Sequence, residues 1–119
     1  TDINKNTFRR INKMEPTKIS SSQEFEELIK DGVSLIDFNA PWCGPCRAQE
    51  PIIRELSNRF KGQVKIAEMN IDDNQETALK LNINSIPTLT VYKNGIEIQR
   101  FVGLQSQNAL SESIKNALN

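Results

Sequence analysis

The chain has 119 residues, of which 37% are hydrophobic and 25% are charged, so it is long enough for one compact domain with a buried core. Lysine and arginine together number 15, as do aspartate and glutamate, and this neutral balance gives no general attraction to nucleic acid or anionic membranes. No apolar run approaches the roughly 20 residues that cross a bilayer, so we expect no membrane span.

Residues 1–15 differ in composition from the rest and are predicted to be an N-terminal extension, with one domain over residues 16–119. We expect a frayed or loosely docked segment rather than a helix that binds a membrane or a partner. The segment lacks the apolar core of a signal peptide, and a signal already removed from the chain stays open as an alternative. Its basic residues outnumber its acidic ones: Lys5, Arg9, Arg10 and Lys13 against Asp2 and Glu15.

The first helix is predicted to begin at Ser21, because Ser21 and Glu24 have the spacing of a capping box. An apolar stripe follows within residues 25–29, and Gly32 is suited to ending the helix. The next segment, VSLIDFN at residues 33–39, is almost continuously apolar. That pattern is typical of a strand covered on both faces.

A second helix is predicted from the cysteine pair to about Phe60, and it is followed by a strand over residues 63–71. A short helix is expected near Leu79. The Asn94–Gly95 dipeptide then predicts a hairpin, with strands at residues 88–92 and 96–102. Apolar residues recur at helical spacing near the end of the chain and predict a closing helix: Leu110, Ile114, Ala117 and Leu118.

This order of elements predicts an α/β protein with a mixed central sheet and helices on both faces. The first half has the strand–helix–strand order of right-handed parallel crossovers, and the hairpin adds an antiparallel part.

Cys43 and Cys46 are the only cysteines, and the chain has no histidine. Structural zinc needs four ligands and this pair supplies two, so we expect no metal site. A disulfide across two residues closes too small a loop to stabilise the fold much. Thiol–disulfide exchange fits better, because the first turn of a helix lowers the pKa of Cys43 and Cys46 follows one turn later.

Three neighbours of the cysteines also carry predictions. Pro45 suits the first turn of a helix, where its missing N–H costs nothing. Trp42 is either an apolar contact surface beside the nucleophile or an ordinary core residue. Asp37 lies in the apolar strand, where burial should raise its pKa. We interpret Asp37 as an acceptor for the Cys46 proton, and the alternative is a carboxylate hydrogen-bonded to a helix end.

Several motifs, taken in this order, resemble the thioredoxin family: DF at residues 37–38, WCGPCR at residues 42–47, Pro51, IPT at residues 86–88, Asn94–Gly95 and Gly103. The resemblance covers residues 16–119 and implies the thioredoxin fold. It also implies reduction of protein disulfides by an exposed nucleophile, Cys43, and a buried resolving residue, Cys46, with Asp37 as the buried acid of the family. Gly44 and Pro45 complete the active-site loop.

The resemblance further implies a cis peptide at Pro87 that brings the Ile86 backbone beside Cys43. The surface that accepts disulfide-containing protein substrates would be an apolar rim, namely Trp42, Ile86, Pro87, Val102 and Gly103. The implied electron donor is a flavin-dependent thioredoxin reductase that uses NADPH, and the domain itself would hold no cofactor and no metal. We expect a cytoplasmic monomer.

Two residues depart from the family pattern. Asn39 stands where many members have an aromatic residue, and Glu68 stands in a segment where many have a lysine close to the buried acid. If Glu68 faces Asp37, one of the two carboxyl pKa values should rise and the pair should titrate as a unit. Strand alternation favours this inward position, and the alternative is a Glu68 side chain in solvent.

Two other functions stay open. The chain could be a non-catalytic protein-binding module, in which the rim holds a partner and redox state only tunes the affinity. It could also be an oxidase or isomerase of an exported compartment, although Gly44–Pro45 favours a reductase by resemblance.

Overall fold

The computed structural model describes residues 15–119, in which five strands and four helices follow one another along the chain. The elements are β1 (Thr17–Ile19), α1 (Ser22–Ile29), β2 (Val33–Asn39), α2 (Gly44–Arg59), β3 (Val64–Asn70), α3 (Gln75–Lys80), β4 (Thr88–Lys93), β5 (Ile96–Val102) and α4 (Gln107–Leu118). Except for Glu15, the predicted extension lies outside the described residues. Within the described range no helix is both long and apolar enough to span a membrane.

The strands form one mixed sheet in the order β1–β3–β2–β4–β5. Strand β3 pairs in parallel with β1 and with β2, whereas β2–β4 and β4–β5 are antiparallel. The predicted mixed sheet is therefore confirmed. Strand β1 was not predicted, because three residues with only Ile19 buried are too short to show alternation.

Alternation along β2 places apolar side chains on both faces of the sheet. Leu35 belongs to a core on the face covered by α2 and α4, and Ile36 belongs to a second core on the face covered by α1 and α3. The largest fully buried partners of Leu35 in the first core are Ile53, Leu56, Leu89, Leu110 and Ile114. Since Asp37 stands two residues after Leu35, its side chain points to the same face of the sheet, which is the face covered by α2.

The predicted bounds of the strands lie within one residue of those in the structure, and the predicted start of α1 is confirmed in one of its two capping contacts. The Ser21 hydroxyl accepts a hydrogen bond from the Glu24 N–H at 3.0 Å, as a cap should. The Glu24 carboxylate accepts from the Ser20 N–H at 3.1 Å, not from Ser21, so the reciprocal half of the predicted capping box is wrong.

The predicted hairpin between β4 and β5 is confirmed. Asn94 and Gly95 have φ values of +52° and +85°, the left-handed conformations that a tight two-residue hairpin requires. The Asn94 side-chain oxygen accepts from the Gly32 N–H at 2.8 Å, and the Asn94 N–H donates to the Gly32 carbonyl at 2.9 Å. The hairpin is thereby tied to the turn that precedes β2.

Candidate active site

Cys43 and Cys46 form a disulfide at the start of α2. Cys43 is the N-cap residue, and its Sγ accepts a hydrogen bond from the Cys46 N–H at 3.2 Å. The loop from β2 is closed just before it, because the Cys43 N–H donates to the Ala40 carbonyl at 3.2 Å. A helix N-terminus that already donates to this sulfur stabilises a Cys43 thiolate once the disulfide opens.

Both cysteines are buried in the disulfide form, with 3% of Cys43 and 2% of Cys46 exposed. The expectation of an exposed Cys43 is therefore wrong for this form. The physical reason is packing: the disulfide lies in a small cluster with Ala40, against which Ile71 and Ile86 pack.

The Ile86–Pro87 peptide is cis, as the resemblance implies. It brings the Ile86 carbonyl oxygen to 3.8 Å from the Cys43 Sγ. The Gly103 N–H donates to the Pro87 carbonyl at 2.8 Å, so the end of β5 is joined to the same turn. Gly103 has a φ of +93°, which favours glycine, and among the described residues other than its two chain neighbours a Cβ there would meet no atom within 4 Å.

Apolar side chains are exposed around the disulfide. Trp42 is 65% exposed, which rules out its alternative interpretation as a core residue. Its indole Nε1 donates to the Asp72 carboxylate at 2.8 Å, so the ring is held in place on the surface. Val102 and Leu104 are also exposed, whereas Ile86 is half-buried. Pro87, which was expected in the exposed rim, is buried, so only the other rim residues reach the surface. Asp72 and Leu104 were not identified from the sequence.

Gly44 and Pro45 lie exposed between the two cysteines in the first turn of α2. The Arg47 guanidinium reaches back to donate to the Pro41 carbonyl at 3.0 Å. The active-site loop is thus anchored to the helix that it precedes.

Asp37 is 1% exposed, and neither of its carboxylate oxygens has a well-formed hydrogen bond among the described residues, although the Asn39 amide lies near enough to favour the ionised carboxylate. The alternative of a carboxylate bonded to a helix end is therefore wrong. The pKa of Asp37 is raised to about 7, mainly by burial; the charges of Glu68 and Glu50 contribute to this rise, and the Asn39 amide opposes it. A carboxyl group with this pKa can take up and release a proton near neutral pH.

Glu68 lies directly opposite Asp37 in the register of β2 and β3. It is half-buried and lines a cavity of about 420 Å³ together with Asn39 and Glu50, so the inward position is supported over a side chain in bulk solvent. Burial raises the pKa of Glu68, Lys18 and Arg54 oppose this rise, and Glu50 and Glu15 add to it.

The negative charge of Glu68 contributes to the raised pKa of Asp37, as expected for two facing carboxyl groups. Titration of the pair as a unit stays a prediction.

Among residues 15–119, no group of three or more cysteine, aspartate or glutamate residues is arranged to hold a metal ion.

Comparisons with known proteins agree on one family. A sequence model of the family described as Thioredoxin matches residues 16–116. A thioredoxin of Staphylococcus saprophyticus is 40% identical over 101 residues, which are 85% of this chain and 96% of the relative. A thioredoxin of Rickettsia conorii is 42% identical over 100 residues, 84% of this chain and 95% of the relative.

A solved structure agrees with the sequence comparisons. A mutant thioredoxin from Halobacterium salinarum superposes with a TM-score of 0.82 at 30% identity, covering 88% of this chain and 92% of that one. The five-stranded mixed sheet and its helices are therefore the thioredoxin fold.

The raised pKa of Asp37 predicts a specific pH dependence of stability. Between about pH 4 and about pH 7 the folded protein keeps a proton on Asp37 that the unfolded chain has lost, so stability falls as pH rises through this window. A change of pKa from 3.8 to about 7 corresponds to about 4 kcal/mol. The free energy of unfolding of Asp37→Asn, measured in urea, should not fall over this pH window. It should therefore increase relative to that of the wild type as pH rises. Parallel stability curves would contradict the assignment.

The register of β2 and β3 predicts that Glu68→Gln lowers the pKa of Asp37, because it removes a facing negative charge. The measurement is NMR titration of the Asp37 side-chain carboxyl carbon. Glu55→Gln is the matched control, since it removes the same charge from an exposed position on α2 and Glu55 is not among the groups that shift Asp37. Equal titration curves in the wild type and Glu68→Gln would mean that the two carboxyl groups do not interact.

Proposed function

We propose roles for the two cysteines of this chain, which belongs to the thioredoxin family and is a protein disulfide oxidoreductase. Cys43 is the attacking residue, and Cys46 is the resolving residue. The hydrogen bond from the Cys46 N–H to the Cys43 Sγ at the start of α2 carries this assignment. Donors at a helix N-terminus favour the thiolate of the residue that they face, and the thiolate is the form that attacks a disulfide.

The cycle has two exchange steps. The Cys43 thiolate attacks one sulfur of a substrate disulfide, forms a mixed disulfide with it and releases the other substrate sulfur as a thiolate. Cys46 then loses its proton and attacks the Cys43 sulfur, which forms the Cys43–Cys46 disulfide and releases the second substrate thiolate. Two electrons pass to the substrate, and the product is the disulfide form described above.

Asp37 is proposed to accept the Cys46 proton in the second step, directly or through a water. Its burial, its lack of a well-formed hydrogen bond among the described residues and its place on the face of the sheet toward α2 support this role. A base with a pKa near the working pH is suited to proton transfer, and that of Asp37 is about 7.

The rim is proposed as the substrate-binding surface, with the Ile86–Pro87 turn as its centre. The Ile86 carbonyl lies beside the Cys43 sulfur, so an extended substrate strand that pairs with this backbone brings its disulfide to the attacking atom. Trp42, Val102 and Gly103 border the same region. The hydrogen bond from Trp42 to Asp72 keeps the indole in a position to contact the substrate.

Members of the thioredoxin family act on disulfide-containing proteins and are reduced by thioredoxin reductase. We propose a flavin-dependent, NADPH-using reductase as the electron donor for this chain, a monomeric state and a cytoplasmic location, with residues 1–15 as an extension to the domain at residues 16–119. Sedimentation analysis tests the monomer, and fractionation of the source cells tests the location. A stable dimer or recovery outside the cytoplasm would overturn the respective proposal.

The two alternative functions are not favoured. A non-catalytic binding module would not need an adjacent cysteine pair and a buried acid on one side of the sheet. An exported oxidase or isomerase has no support among the relatives compared, which are named thioredoxins.

The assignment of roles predicts which cysteine variant traps substrates. Cys46→Ser should accumulate mixed disulfides through Cys43, because the second step is blocked after the first has occurred. Non-reducing electrophoresis of Cys46→Ser with an oxidised protein substrate measures this accumulation, and the Cys43→Ser variant is the matched control. Trapping by Cys43→Ser instead would reverse the roles.

A further inference from the structure

Gln49 is a fully buried polar residue on α2, between Cys46 and Pro51, that the cycle does not use. Both ends of its side-chain amide are hydrogen-bonded to a single residue. The Nε2 donates to the Gln105 carbonyl at 3.0 Å, and the Oε1 accepts from the Gln105 N–H at 2.8 Å. The side chain therefore binds the backbone at residue 105 as a neighbouring strand would.

The loop at residues 103–105 follows the last residue of β5 and precedes Ser106, the N-cap of α4. The hydrogen bond from the Gly103 N–H to the Pro87 carbonyl joins its first residue to the Ile86–Pro87 turn. Val102 and Leu104 are 61% and 50% exposed, so their side chains do not anchor it in the core. The Gln49 amide supplies a fixed contact between this loop and the cysteine helix.

The contacts continue from the loop to the reactive sulfur. The Gln105 side-chain Nε2 donates to the Gly103 carbonyl at 3.3 Å, and the Gly103 N–H donates to the Pro87 carbonyl at 2.8 Å. The residue before Pro87 places its carbonyl 3.8 Å from the Cys43 Sγ. The contacts therefore form a closed path that runs from Gln49 on α2, through the loop at residues 103–105 and the Ile86–Pro87 turn, back to Cys43, the N-cap of α2.

We propose that Gln49 is a positioning residue for protein substrates: by clamping the backbone of Gln105 to α2, it holds Gly103 and the Ile86–Pro87 turn at a fixed distance from Cys43. The proposal rests on the rim as the substrate-binding surface. Binding to a preformed backbone avoids the entropy cost of ordering it in the complex, so the clamp favours large substrates that need the whole rim.

The clamp does not enter the exchange chemistry itself. An amide neither gains nor loses a proton near neutral pH, and the Gln49 side chain bonds the loop and not the disulfide sulfurs. A small disulfide that needs only access to Cys43 should therefore react at the wild-type rate when the clamp is lost.

The test is Gln49→Met, which keeps the length of the side chain and removes both hydrogen bonds. We expect kcat/KM for a protein substrate such as insulin to fall about tenfold, mainly through a higher KM, because the rim is no longer held in place. The rate with a small aromatic disulfide should stay within about twofold of the wild type. Amide hydrogen exchange at Gly103 should accelerate.

Ile53→Val is the matched control, since Ile53 is buried on the same helix and the substitution removes one buried methylene while leaving the clamp intact. It should keep wild-type kcat/KM with both substrates. Equal losses of Gln49→Met on protein and small substrates, or no loss on either, would overturn the positioning role. If the wild type itself failed to reduce insulin through Cys43, the proposed function would fail instead.

Discussion

The central strand β2 imposes the constraint on which the site depends, because it is covered on both faces and paired on both edges. The first six residues of this strand, 33–38, are all buried, and Asp37 is therefore a carboxyl group removed from solvent and without a well-formed hydrogen bond among the described residues. The same strand ends one short loop before Cys43. Burial on β2 thus raises the proton affinity of Asp37, and the C-terminal end of the same strand leads directly to Cys43.

Charge near Asp37 adds to what burial does. A lysine opposite a buried carboxyl group would favour its ionised form, whereas Glu68 in this position favours the neutral form. Glu50 acts in the same direction from α2, and the Asn39 amide partly opposes both. The two residues that depart from the family pattern, Asn39 and Glu68, therefore act on one quantity, the proton affinity of Asp37, with opposite signs.

Local patterns were sufficient to predict most of the fold and the reactive pair. The continuous apolar run of β2, the stripe of α1 and the Asn94–Gly95 turn each carry a short-range physical signal. The short strand β1 carries none, because it exists only through its pairing with β3.

The contacts that sequence reasoning missed join distant parts of the chain. Trp42 and Asp72 are 30 residues apart, and Gln49 and Gln105 are 56 residues apart, so no local spacing indicates either pair. The burial of Cys43 was also missed, since it results from packing against Ala40 and Ile86 around the disulfide. Residue types predicted the chemistry, and only the tertiary structure revealed how the surrounding loops are held.

Whether Asp37 accepts the proton of Cys46 can be read from the rate at which Cys46 resolves a mixed disulfide on Cys43. This rate should be followed by rapid mixing as a function of pH in the wild type and in Asp37→Asn. If Asp37 is the acceptor, the wild-type rate rises with pH and levels off above about 7, and the variant rate is slower at neutral pH and keeps rising at higher pH. Superimposable pH profiles in the two proteins would contradict this role.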